Sequence, residues 1–297
     1  MRNFCVLLIL IMLGTSSCSS QDKYSKVPEF NDYWYQGNAE ITSYDLKQAR
    51  YGEIHSGSAV LIFVTEDFSN KKQVKLDNPK KYPDDAVSVL KLNANRNFNT
   101  GIYDYSIMQS IFTPVNIESM PNTLKITSSV QDWCGQGFQQ MNLKNDGFEF
   151  KQFSYFESEG DQISQVKKHA LEEELFNRIR INPASLPLGN FKMIPSSLFI
   201  RLQHKVIQPE SATASLEERG EYNVYTVNYK SVQRSLKIKY KNTFPFEIIS
   251  WEEEVKSGYG ANAKKLSTVA KKKKTMKLPY WERHDLKDAY LRKELGL

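Results

Sequence analysis

The six residues Leu236-Lys237-Ile238-Lys239-Tyr240-Lys241 alternate apolar and charged side chains without a fault. A period of two places all the apolar groups on one side and all the charges on the other, the pattern of an extended strand with one dry face and one wet face. Leu198, Ile200 and Leu202, then Ala212, Ala214 and Leu216, then Phe244, Phe246 and Ile248 repeat the spacing, with polar or Gly/Pro breaks between them. Such a succession predicts an antiparallel meander. The first half has the same habit, with residues 58–64 (SAVLIFV) its most apolar run and further strands expected near 73–76, 87–92, 102–108, 124–130, 138–143 and 148–156. Aromatic residues make up 12% of the chain, mostly Tyr and Phe, a content that suits pleated sheets better than helical bundles.

Two segments read as helices. In residues 163–180 (ISQVKKHALEEELFNRIR), Leu171, Leu175 and Ile179 recur every four positions, and Asn182-Pro183 stops the helix. A last helix is expected from Tyr280 to Glu294, docked through Leu286, Tyr290 and Leu291, with Asp288 and Arg292 paired along it and Gly296 as its C-terminal cap. The fold class expected is therefore mainly β (α+β), a long curved antiparallel sheet or half-barrel with one or two packed helices. Its parts would be a leader at 1–17, a tether at 18–28, an N-terminal β half at 29–160, a helix and linker at 161–190, and a C-terminal meander with terminal helix at 191–297.

The leader is read from Met1-Arg2-Asn3 followed by an apolar run to Leu13, too short to span a bilayer as a stable helix. Gly14-Thr15-Ser16-Ser17-Cys18 resembles a lipobox with Thr15 where Leu is usual, implying cleavage before Cys18 and acylation of that residue. An ordinary signal peptide cut nearby is the alternative. Acyl chains contribute roughly 0.8 kcal/mol per buried methylene, so a multiply acylated Cys18 would hold the protein on a membrane. Ser19 rather than Asp follows Cys18, which favours the outer membrane of a Gram-negative envelope. Removal of 17 residues from 297 leaves 280, enough for a substantial core.

Of the three cysteines, Cys5 would leave with the leader and Cys18 would carry lipid, so Cys134 alone remains as a thiol. No disulfide framework is then available. Cys134 in QDWCGQGF is expected to be a buried small residue at a turn, with Trp133 and Phe138 packing inward and Gly135 and Gly137 supplying backbone freedom. The histidines His55, His169, His204 and His284 stand in no zinc spacing, and His169 with Glu173 on one helix face would give only two ligands. No GxSxG elbow, phosphate loop or GxGxxG motif occurs. No catalytic residue, metal or cofactor is expected.

The formal charge is +6, falling to +5 without Arg2. Lys264, Lys265, Lys271, Lys272, Lys273, Lys274 and Lys277 form the conspicuous cluster. They would meet anionic headgroups or polysaccharide, or simply guard an edge strand against aggregation. Nucleic acid is not an expected partner in this compartment.

The residues Tyr33-Trp34-Tyr35-Gln36-Gly37-Asn38-Ala39-Glu40-Ile41, Ser43-Tyr44, Gln48-Ala49-Arg50-Tyr51-Gly52, Trp133-Cys134-Gly135 and Leu291-Arg292-Lys293-Glu294-Leu295-Gly296-Leu297 resemble a family of uncharacterised Gram-negative envelope lipoproteins over most of the chain. Some members carry the label septum formation inhibitor Maf. That label implies nucleotide pyrophosphatase activity with a Ser-Pro-Arg-Arg phosphate motif, which this sequence lacks, so the activity transfers to no residue. A looser likeness, of fold only, is to lipoprotein-carrier proteins, whose curved sheet shelters acyl chains beneath helices. The reading is a lipid-anchored, non-enzymatic envelope protein that binds a lipid, glycan or protein partner on the concave side of its sheet. The alternative is an envelope enzyme acting on a cell-wall or lipid substrate with Cys134, His169 or His204 taking part.

Overall fold

The structure, a computed structural model, describes residues 28–297, so the expected leader and acylation at Cys18 lie outside the described residues. The strands of the first half are β1 (Ala39–Arg50), β2 (Glu53–Ser69), β3 (Ala86–Thr100), β4 (Tyr103–Pro114), β5 (Lys125–Asp132), β6 (Gly135–Lys144), β7 (Gly147–Ser154) and β8 (Gln162–Lys167). Those of the second are β9 (Ala170–Leu171), β10 (Gly189–Ile194), β11 (Glu210–Arg219), β12 (Tyr222–Tyr229), β13 (Arg234–Lys241), β14 (Ile248–Ser257) and β15 (Lys264–Leu278). Four short helices accompany them: α1 (Pro28–Trp34), α2 (Glu174–Ile181), α3 (Ser197–Leu202) and α4 (Tyr290–Glu294). Strand accounts for 55% of the residues and helix for 15%, so the chain is mainly β, as its alternation requires.

All the strands join one 15-stranded curved open sheet in the order β8-β7-β6-β5-β4-β3-β2-β1-β15-β14-β13-β12-β11-β10-β9. Neighbours are antiparallel except β9 and β10. The two halves of the chain share this sheet through β1 and β15, which pair from Ala39 with Leu278 to Lys47 with Val269. Its opposite edges, β8 and β9, are consecutive in sequence with only Lys168 and His169 between them. Three peptide steps of about 3.8 Å allow Lys167 and Ala170 to lie no more than about 11 Å apart. The sheet therefore curls until its edges nearly meet.

The curl encloses α1, α2 and α3. Phe30 and Trp34 of α1, Leu175 and Ile179 of α2, and Leu198 and Ile200 of α3 join one core with Phe63, Leu92, Ile111, Tyr225 and Ile238 of the sheet. Each fully buried Leu or Phe contributes roughly 1.5–3 kcal/mol. A smaller second layer covers the outer side of β1, β2 and β15, where Leu295, Leu297 and Tyr280 pack on Ile41, Ile62, Val64 and Met276.

Several local expectations give way. Residues 162–167 form strand β8 and Leu171 lies in β9, so only Glu174–Ile181 of the expected long helix is helical. Leu171, Leu175 and Ile179 are all buried, but tertiary pairing of Val166 with Phe148 and of Leu171 with Ile194 decides the backbone upstream. Leu198, Ile200 and Leu202 belong to α3, whose six residues are all buried, and continuous burial hides the difference between periods of two and 3.6. Residues 73–76 lie in a loop with a single bridge from Phe68 to Lys75, and β14 begins only at Ile248, after Phe244 and Phe246.

The terminal helix is confined to Tyr290–Glu294. Leu286 is 96% exposed and Tyr290 58% exposed, so neither docks it. Asp288 accepts from the Asp285 amide at 3.3 Å rather than pairing with Arg292. Gly296 does cap the helix: its φ of +73° lies in the left-handed region that side chains rarely adopt. The amides of Gly296 and Leu297 close back on Lys293 and Arg292 in a Schellman motif.

Candidate functional site

The inner face of the sheet is neither an apolar trough nor open. Alternation directs Leu92, Ala94, Arg96 and Phe98 of β3 inward, and likewise Arg234, Leu236 and Ile238 of β13 and Trp251 and Glu253 of β14. Three strands thus carry a charge at an inward position, and their signs complement one another. Arg96 Nη2 donates to Glu253 Oε1 at 2.5 Å, and Arg234 Nη2 lies 3.5 Å from Glu253 Oε2. Arg234 also grips Glu172, with Nε to Oε2 at 3.2 Å and a second close contact from Nη2. Trp251 Nε1 donates to Glu253 at 3.1 Å. Burial would raise the Glu253 pKa, but Arg96 and Arg234 outweigh it and hold the carboxyl down at about 2.

Glu172, Glu173 and Glu174 lie where β9 turns into α2, and all three are buried. Oε1 of Glu173 accepts from the Ser197 amide at 2.5 Å, the Ser197 hydroxyl at 2.7 Å and Gln109 Nε2 at 3.3 Å, tying α2 to the start of α3 and to β4. No cation faces it in these contacts. Burial, reinforced by neighbouring Glu172, pushes the Glu173 carboxyl up to about 7 despite the Ser197 hydrogen bonds. A cavity of about 30 Å³ adjoins Arg96, Gln109, Glu172, Glu173 and Trp251. That is room for a water or two and far below the volume of an acyl chain.

A second buried pair closes the α1 end. Arg180 of α2 makes a two-pronged contact with Glu40 of β1, both bonds at 2.6 Å, with its guanidinium 5.0 Å from the Trp34 ring and 4.9 Å from that of Phe63. Tyr33 of α1 donates to the same carboxylate at 2.5 Å. Burial raises the Glu40 pKa, yet Arg180 more than reverses the effect and holds it below the ordinary value.

The seven lysines do not form one site. Their strand, β15, is hydrogen-bonded to β14 on one side and β1 on the other, so it is interior to the sheet and not the expected edge. A register shift opposite Ser43 and Tyr44 splits the run. Lys272 turns inward to Glu247, and Lys277 reaches the Tyr33 carbonyl with its ammonium 3.6 Å from the Tyr33 ring centre. Lys273 spans to Asp45 at 3.3 Å and to the Gly296 carbonyl at 2.7 Å. Lys265 pairs with Glu254 at 2.5 Å. Lys264, Lys271 and Lys274 remain exposed. The outer face of β13 adds Lys237, Lys239 and Lys241, and cross-strand register sets Lys239 and Lys271 on either side of Ser250.

Cys134 is exposed at the hairpin between β5 and β6, contrary to the buried position expected. Trp133 is 66% exposed and Phe138 37% exposed, so neither packs inward. The two-residue turn is too tight to bring either of its side chains back onto the sheet. Desolvation and the Asp132 carboxylate push the Cys134 thiol up, away from the thiolate a nucleophile needs. Its amide is held by Asp132 at 2.7 Å. His204 binds Glu159 at 2.6 Å beside the Phe156 ring, and Glu173 serves Ser197 rather than His169. Among the described residues no group of three or more His, Cys, Asp or Glu is placed to hold a metal ion.

Nothing in Glu172-Glu173-Glu174 by itself marks burial, because consecutive carboxylates are ordinarily solvated. A usable signal was present: Arg96 in LNANRNF, Arg234 in RSLKIKY and Glu253 in WEEEV all fall in the apolar phase of their strands. Comparison with protein-family models, curated proteins and solved structures returns no match.

Proposed function

We propose that this chain is a lipid-anchored, non-enzymatic envelope protein that engages its partner on the outer, solvent-facing side of its curved sheet. The observation that carries this reading is the filled interior. Three helices and a hydrogen-bonded charge network occupy the concave side, and the cavities beside that network measure only about 30 and 20 Å³. A carrier of acyl chains needs a roomy apolar trough there, and an enzyme needs its perturbed carboxyl, Glu173, open to substrate. Glu173 is 6% exposed, and its Oε1 is held by the Ser197 amide and hydroxyl and by Gln109.

The anchor would be acylated Cys18, as the leader and lipobox-like residues imply. The exposed lysines of β13 and β15 would then favour an anionic headgroup layer, where each basic residue near the surface contributes about 1 kcal/mol. Native mass spectrometry of residues 19–297 made in the periplasm tests the reading. A mass equal to the bare chain is expected, whereas a stoichiometric lipid would replace it with the carrier function. Cys18→Ala in the full chain is expected to move the protein from the membrane to the soluble fraction.

A further inference from the structure

The outer face of β3 to β7 differs from the rest of the surface in its chemistry. Alternation on β3 (LNANRNFN) turns Asn93, Asn95, Asn97 and Asn99 outward while Leu92, Ala94, Arg96 and Phe98 face the core. Register then lays these amides in line with the outward residues of the following strands. One row runs Asn95, Met108, Ser129, Phe138 and Phe153 across five strands. Beside it runs a second, Asn97, Ser106, Gln131 and Gln136. At about 4.8 Å per strand the first row is about 19 Å long.

Met108, Phe138 and Phe153 make this row partly apolar and exposed, with Ser129 between the first two. Met108 is 40% exposed and Phe153 48%, and the Phe138 and Phe153 rings lie near-parallel with centroids 6.4 Å apart and an interplanar angle of 26°. The groups flanking them are polar and uncharged. Among the described residues, Asn95, Asn97, Ser106, Gln131 and Gln136 make no side-chain hydrogen bond to the protein. Ionisable groups sit only at the margins and are already engaged: Asp104 with Asn99 at 2.5 Å, Lys151 with Glu149 at 3.0 Å, and Lys125 with the Gln73 carbonyl at 3.2 Å.

We propose that this face is a binding platform for an uncharged polysaccharide, an inference that rests on the surface-binding reading above. Carboxamides offer a donor and an acceptor side by side, and serine hydroxyls do both from one atom. Sugar hydroxyl pairs present the same two functions, while the C–H face of a pyranose ring is the apolar surface that an aromatic face accepts. A row of aromatic and thioether groups bordered by amides and hydroxyls matches a ligand that is apolar on its faces and polar at its rim. A phosphorylated or carboxylated chain would find no cation on these two rows. A protein partner would be expected to bury a broader apolar centre than this strip provides.

Affinity gel electrophoresis tests the inference. The full chain in a zwitterionic, sugar-free detergent is run through gels containing hydroxyethylcellulose, amylopectin or glycol chitin, with dextran sulfate as the anionic control. Retardation by at least one neutral polymer is expected, weakened tenfold or more in Phe138→Ala/Phe153→Ala and in Asn97→Ala/Gln136→Ala. These residues are solvent-facing, so the variants should retain the parent circular dichroism spectrum. Asn228→Ala, exposed on β12 and outside both rows, should leave neutral-polymer retardation unchanged. Migration unaltered by all three neutral polymers, or retardation that survives both platform variants, overturns the proposal. A stoichiometric lipid in the native mass spectrum would instead overturn the surface-binding reading itself, so the two failures are distinguishable.

Discussion

Strand β3 carries two different surfaces on one backbone. Its inward residues include Arg96, only 8% exposed and bonded to Glu253 from the far half of the chain. Its outward residues from 93 to 99 are amides: Asn93 is buried and accepts from the Ser110 hydroxyl at 2.7 Å, Asn99 binds Asp104, and Asn95 and Asn97 make no side-chain hydrogen bond among the described residues. A charge is tolerated inside because other strands bring opposite charges to it, while leaving a buried ion unpaired is expensive. Outside, water can satisfy an exposed amide such as Asn97, so nothing in folding demands a partner for it. Arg96, Arg234, Glu172 and Glu253 are thus committed to the fold, while Asn95, Asn97, Gln131 and Gln136 are available for recognition.

The strongest way to break this contrast is to remove the arginine that two carboxylates share. Arg234→Ala leaves Glu172 without an arginine partner among the described residues and weakens the hold on Glu253, and should cost about 3–5 kcal/mol in denaturant unfolding. A loss below about 1 kcal/mol would mean the inner network is dispensable.

Glu173 sharpens the contrast through pH. Its folded pKa of about 7 lies above the ordinary 4.5, so its stabilising contribution is fully present below the unfolded value and is lost as pH rises through the folded one. A difference of about 2.5 units corresponds to roughly 3 kcal/mol between pH 4.5 and 7. Glu173→Gln, which keeps an acceptor for Ser197, should raise stability at pH 8 by an amount of that order and flatten the profile. Glu253 acts in the opposite direction, its stabilisation disappearing only as pH falls from 4.5 toward 2. Urea midpoints measured from pH 4 to 8 separate the two, and an unchanged slope in Glu173→Gln would refute the assignment.

The smallest effect is expected outside. Phe138→Ala with Phe153→Ala removes a half-exposed cross-strand pair and should cost about 1 kcal/mol. A much larger loss would show that the outer row is structural.

Much of the fold was legible. The alternation of residues 236–241 became β13, and the runs at 58–64, 87–92, 102–108 and 124–130 lie within β2, β3, β4 and β5 but for Ile102 and Leu124 at their borders. Two segments misled: α3 has no wet face to reveal its period, and the helical spacing of Leu171, Leu175 and Ile179 does not extend back over 163–171, where pairing at both sheet edges sets the backbone. The lysine run looked like an edge because charge at every position suggests solvent on both sides. Its place between β14 and β1 became visible only when the register turned Lys272 and Lys277 toward Glu247 and Tyr33.

The sequence by itself determined the strand periodicity, the mainly β class and the Gly296 cap, because each depends on residues within one or two turns of chain. Tertiary structure alone decided that Arg96, Arg234, Glu172 and Glu253 meet, that both halves share one sheet, and that its edges curl together around three helices. Those outcomes depend on contacts between residues as far apart as 96 and 253. Opposite charges in the apolar phase of distant strands are a cost in isolation and become stabilising only once the sheet closes and pairs them.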